Sequence, residues 1–224
     1  MSGVLDLRAA GIEAMRVKPR FIGLQEVDQL AGRVGGADTC AILAEATGMH
    51  ATFAKAIDFD GGEYGVALLS RGRPLAVRRI PLPGDEPRVL LLCRFRDCWV
   101  GVTHLDVASE ETRLAAVPIV RDAVAGCAAF KPVFLMGDWN APPSSPTLKA
   151  MRGFMDVLSD ETKATFHGEN FTPGDLCDPS RCIDYIAIDK GHRASFTLRS
   201  SRVIEERTIS DHAPIAVDVT GKRE

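Results

Sequence analysis

Pro132-Val133-Phe134-Leu135-Met136-Gly137-Asp138-Trp139-Asn140 is an apolar run of strand length that stops abruptly in polar residues. A short run without polar alternation reads as a strand buried on both faces. Asp138 and Asn140 then lie just beyond its end, where α/β folds place reactive groups on a rigid support. Taken alone, an Asp and an Asn ahead of Pro142 and Pro143 are as well explained by a plain turn.

The pattern recurs along the chain. Phe21-Ile22-Gly23-Leu24 runs into Gln25-Glu26, and Val100-Gly101-Val102-Thr103 runs into His104. Either residue alone has an ordinary reading, Glu26 as a solvated loop acid and His104 as a satisfied core imidazole. Ile183-Asp184-Tyr185-Ile186 sets an acid inside an apolar strand, where an unpaired charge is costly, so Asp184 requires a partner. Ser210-Asp211-His212-Ala213-Pro214 offers an imidazole and a further carboxylate ahead of a last strand. An Asp–His pair with two more carboxylates suits metal-assisted hydrolysis, the oxygen donors holding a hard cation.

Around these positions the periodicity predicts helices over 5–17, 37–47, 109–125 (capped by Ser109) and 145–152. Strands are predicted near 51–57, 64–70, 75–80, 88–95, 98–104, 183–188, 195–204 and 213–219. Pro81 to Pro87 and Arg96-Asp97 read as hairpin connections. Many strands with few helices imply two packed sheets covered by helices in one domain over 1–224.

Composition narrows the classes. At 46% hydrophobic and 25% charged residues the chain is globular, and a net charge of −3 announces no basic field for nucleic acid. Cys40, Cys93, Cys98, Cys127, Cys177 and Cys182 lack paired metal-site spacing. Cys177 and Cys182 are close enough in sequence for a disulfide, though free thiols are the simpler reading. No apolar run is long enough to span a membrane, and no signal peptide is visible.

The ordered set Leu24-Gln25-Glu26-Val27, Tyr64-Gly65-Val66-Ala67-Leu68-Leu69-Ser70, Thr103-His104-Leu105, Gly137-Asp138-Trp139-Asn140, Ile183-Asp184-Tyr185-Ile186 and Ser210-Asp211-His212-Ala213-Pro214 resembles the endonuclease/exonuclease/phosphatase superfamily. The resemblance covers nearly the whole chain. It implies a four-layer α/β sandwich, two packed mixed β-sheets flanked by helices. It implies hydrolysis of a phosphoester by in-line attack of water, with Mg2+ or Mn2+ as cofactor. Glu26 is expected as principal metal ligand with Asp211 near the same metal. Asp138 and Asn140 would handle the attacking water and the phosphate. His212, polarised by Asp184, would contact the scissile phosphate. His104 looks like the second histidine of the deoxyribonuclease I and sphingomyelinase branches, with Glu63 as its acidic partner. The substrate is left open among nucleic acid, a lipid head group and a small phosphate ester. A monomer is expected.

One departure stands out. The family opens with a strand carrying a metal-site Asn, and no such strand precedes Leu5. The expectation is therefore a sandwich lacking its first strand, with Met1 an internal methionine rather than the start. Similar bacterial proteins are often exported, so the compartment stays open. The competing functional reading is a catalytically impaired binding protein that keeps the fold.

Overall fold

The computed structural model describes residues 7–168, 178–204 and 209–222. Its elements are α1 (Leu7–Ala14), β1 (Phe21–Gln29), α2 (Thr39–Thr47), β2 (His50–Phe59), β3 (Gly62–Ser70), β4 (Ala76–Leu82), β5 (Arg88–Arg94), β6 (Trp99–His104), α3 (Glu110–Ala128), β7 (Val133–Asp138), α4 (Pro146–Met151), β8 (Met155–Val157), β9 (Asp184–Asp189), β10 (Phe196–Val203) and β11 (Ile215–Gly221).

The central sheet has the order β4-β5-β6-β7-β9-β8, antiparallel except for the parallel pair β6–β7. Its strands are apolar on both faces, as their unbroken hydrophobic runs require. On β5, Leu90 and Leu92 join Val117, Val120 and Val124 of α3, while Val89, Leu91 and Cys93 join Val66 and Leu68 of β3. This is the two-residue alternation of a strand, used here to bury both sides. Beyond β3, a third apolar layer brings Leu43 of α2 and Met49 against Leu69, Ile22 and Leu24. The order is helix, sheet, sheet, helix, as expected.

The second sheet layer differs from the expected mixed sheet. It comes as an antiparallel β1-β3-β2 sheet and a separate antiparallel β10-β11 ribbon. The ribbon lies on the same face of the central sheet, through the edge-on contact of Phe196 with Phe134, centroids 5.3 Å apart. Among the described residues β1 and β11 are each paired along one edge only.

Local sequence explains the boundaries. Ser109 caps α3 by accepting from the Thr112 amide, and Ser145 caps α4 by accepting from Leu148. Gly48 ends α2 in the left-handed conformation, φ 65°. Strand β1 runs five residues past the expected apolar stretch because a bulge absorbs Gln25 and Glu26 opposite one residue of β3. The proposed disulfide depends on Cys177, which lies outside the described residues; Cys182 is a buried free thiol. Among the described residues no helix is long and apolar enough to cross a membrane.

Candidate active site

Three neighbouring strands of the central sheet end in one row. In the parallel pair β6–β7, His104 is the partner of Asp138, and in the antiparallel pair β7–β9, Asp138 is the partner of Asp184. Directly opposed residues project from the same face, so two acids and an imidazole are forced side by side. All three are buried. The backbone permits this packing at Gly137, where a Cβ would lie 2.0 Å from the Thr103 carbonyl oxygen.

Beyond the strand ends, two loops complete the row. Asn140 adopts φ 47°, and its backbone amide donates to Oδ1 of Asp138 at 2.8 Å, so the turn foreseen for this pair does form. Asn140 Nδ2 donates to the Leu105 carbonyl at 3.0 Å and lies 3.1 Å from Nε2 of His104. His212 places Nδ1 2.8 Å from Oδ2 of Asp184 and Nε2 3.9 Å from Oδ2 of Asp138. Asp138 Oδ2 thus stands between two imidazoles, His104 Nε2 being 3.5 Å away.

Burial and charge polarise the group. Burial pushes the Asp138 carboxyl well above the usual carboxylate range, and neighbouring Asp184 adds to this. Burial pulls the His104 imidazole down to about 3, with Arg88 and His212 acting in the same direction. Burial would also lower His212, but the hydrogen bond and charge of Asp184, joined by Asp138 and Asp211, raise it to about 9. One histidine is therefore neutral and the other cationic at neutral pH.

Glu26 sits in the β1 bulge with φ 55°, a conformation uncommon outside glycine. Its charge is felt at both Asp138 and Tyr64. Asp211 neighbours His212 in sequence and field, and its carbonyl accepts from the His167 amide at 2.9 Å. The site expectation needs one correction. Glu63 does not partner His104; it is partly exposed and lies 3.5 Å from Lys55. The reason is the strand period. Tyr64 points inward and is 8% exposed, so Glu63, one residue earlier, points the other way. The group on Nδ1 of His104 is instead the Arg88 guanidinium, at 3.5 Å.

Three supporting residues escaped the sequence reading. Thr165 is fully buried, and its Oγ1 accepts from the backbone amides of Ile183 and Asp184 at 3.0 Å each, fixing the acid that holds His212. The Phe166 ring lies 5.0 Å from the His212 ring. Arg88 opens an apolar strand, and nothing in its sequence setting separates it from a solvated strand end. Trp139 and Tyr185 stack at 4.9 Å and pack the floor of the row.

The donor chemistry suits a hard cation. Carboxylate oxygens dominate: those of Asp138 and Asp184 lie close together beside His212, whose protonated ring acts as a hydrogen-bond donor rather than as a ligand. Burial first, and the charge of Asp184 after it, raise the Asp138 carboxyl, and a cation would relieve both.

The fold has well-matched relatives among solved structures; those named below are under 25% identical, so their likeness is one of architecture. A functionally unknown conserved protein from Enterococcus faecalis V583 is 19% identical, with a TM-score of 0.79 over 96% of this chain and 91% of its own. A mannosyl-6-phosphatase from Bacteroides thetaiotaomicron is 19% identical, with a TM-score of 0.75 over 96% and 90%. A 3' phosphatase from Neisseria, bound to a product DNA hairpin, is 18% identical, with a TM-score of 0.70 over 96% and 95%. No curated protein is significantly similar in sequence. A family profile does match, over residues 7–212, and by that match the chain belongs to the endonuclease/exonuclease/phosphatase family of phosphoester hydrolases.

Proposed function

We propose that the chain is a divalent-metal-dependent hydrolase in which water attacks a phosphoester in line, directed by Asp138 and stabilised by His212. The observation that carries this reading is the placement of Asp138 Oδ2 between two imidazoles, His104 Nε2 at 3.5 Å and His212 Nε2 at 3.9 Å. A carboxylate whose proton affinity is raised by burial is a competent base near neutral pH. It takes a proton from the attacking water as the new P–O bond forms. The ester oxygen leaves with the electron pair of the broken bond and is protonated from solvent. His212, cationic and held by Asp184, donates from Nε2 to a phosphoryl oxygen, where charge gathers. Asn140 adds a second donor beside it.

Glu26 and Asp211 would hold Mg2+ or Mn2+. When bound, such a cation polarises a phosphoryl oxygen as a Lewis acid. The named activities of the fold relatives, on mannosyl-6-phosphate and on a DNA 3' phosphate, favour a phosphate ester as substrate.

The test is turnover of p-nitrophenyl phosphate and bis(p-nitrophenyl) phosphate with Mg2+, with Mn2+ and with chelator. Metal-dependent hydrolysis is expected, and Asp138→Asn should reduce it about 10²–10⁴-fold, the usual contribution of a general base. Turnover indifferent to both chelation and Asp138→Asn would defeat the reading. Complete silence with intact folding would favour a binding protein.

A further inference from the structure

Arg88 is a cation sealed into the cleft wall. It begins β5 opposite Leu82, and the residue is only 6% exposed. Its Nη1 donates to Glu86 Oε1 at 2.6 Å and lies 3.5 Å from Nδ1 of His104. Its Nε is buried and has no hydrogen-bond partner among the described residues. One partly exposed carboxylate does not fully offset a guanidinium buried this deeply. Inside the cleft it faces two titratable groups, the His104 ring and the Tyr64 hydroxyl.

We propose that Arg88 is the positioning residue of His104, its guanidinium donating to Nδ1 and so holding the neutral ring in the tautomer whose proton sits on Nε2. A guanidinium only donates and does not lose its proton, so the nitrogen facing it must accept. On the other side of the ring Asn140 Nδ2 lies 3.1 Å from Nε2 and is a donor too. The amide cannot simply be reversed, because the Leu105 carbonyl 3.0 Å away also needs a donor. Two donors therefore compete for one lone pair. The cation prevails, since a charge-assisted bond is roughly twice as strong as a neutral one. The Nε2 proton then faces Asp138 Oδ2 at 3.5 Å. The void lined by Tyr64, Arg88 and His104 has about 10 Å³, room for a single water at most between them.

The consequence is a division of labour. His104 is a hydrogen-bond donor into the cleft and not a base. Asn140 keeps one amide hydrogen on Leu105 and presents the other to the cleft. In its kinetic arm this inference rests on the hydrolase reading above; in its spectroscopic arm it does not.

The experiment is a 15N–1H long-range correlation spectrum of the wild-type chain, with His104 assigned by comparison with His104→Gln. The expected spectrum shows Nδ1 unprotonated and Nε2 protonated. In Arg88→Met the two tautomers should mix, and kcat on p-nitrophenyl phosphate with Mg2+ should fall about 10–100-fold with KM unchanged, as for loss of an orienting partner. Arg88→Lys, which keeps a donor and a charge, should recover most of both. If Arg88→Met does not fold, the wild-type spectrum still decides. A proton on Nδ1 in the wild type, or an unchanged tautomer in folded Arg88→Met, overturns the proposal. The expected tautomer in an enzyme that hydrolyses nothing would sustain this inference and sink the hydrolase reading.

Discussion

His212 Nδ1 and Asp184 Oδ2 lie 2.8 Å apart, although 28 residues separate them in sequence. The acid is fixed from below by Thr165 and the imidazole from the side by Phe166. The pair therefore works as a preset unit, with the His212 Nε2 edge left toward Asp138.

Replacing Asp184 by Asn should release that setting. The amide keeps the shape and the backbone bonds to Thr165, but removes the charge that raises His212. The His212 pKa should drop from about 9 toward its ordinary range, and kcat should fall by about 10²-fold or more, as when an orienting acid is lost. An NMR titration of the His212 ring alongside steady-state kinetics checks both. An unmoved His212 titration would mean that Asp184 is not its electrostatic partner.

The same shift has a signature in stability. His212 is raised in the folded chain from 6.5 to about 9, so protonation favours the folded state. Its stabilisation is complete below about 6.5 and is lost as pH climbs through about 9. Urea unfolding of wild type and His212→Gln across this range should show the largest gap near pH 6 and a shrinking gap toward pH 9. A gap that widens with pH would contradict the assigned charge state.

Much of this arrangement was legible in the sequence, for physical reasons that differ by residue. Asp184 stood out because an acid in an apolar strand needs a partner. Asp138 and His104 stood out because each ends an apolar run, and register then sets them side by side. Glu63 misled because adjacency in sequence does not survive the alternation of a strand. Arg88 was silent because its role depends on the ring it meets across the sheet. Strand β8, three residues long, is too short to carry a period, and the β1 bulge breaks one.

Glycine requirements can be tested in pairs. Gly137 meets the Thr103 carbonyl at 2.0 Å if given a Cβ, and the clash is with sheet backbone rather than with a side chain that could swing away. Gly137→Ala should cost about 3 kcal/mol or more, or prevent folding. Gly126 in α3 meets nothing within 4 Å, so Gly126→Ala should stabilise by about 0.5–1 kcal/mol through helix propensity. Chemical denaturation of the two variants distinguishes a steric requirement from general intolerance. Equal effects at both positions would refute the close-approach argument.

Cation binding can be measured without any substrate. The charges of Asp184 and Glu26 are both felt at Asp138, and burial has already pushed Asp138 toward protonation. A divalent cation should be taken up with displacement of that proton, so affinity should rise with pH. At about 100 times Kd a single bound ion stabilises by about 2.7 kcal/mol, or roughly 5–10 °C in Tm for a domain of this size. Thermal melts with Mg2+, with Mn2+ and with chelator should show this rise and its reversal. Glu26→Gln removes one oxygen charge from the β1 bulge while keeping its volume, and should shrink the metal-induced rise more than it lowers the metal-free Tm. An equal metal-induced rise in wild type and Glu26→Gln would show that the ion binds elsewhere on the surface, and would remove Glu26 from the ligand set.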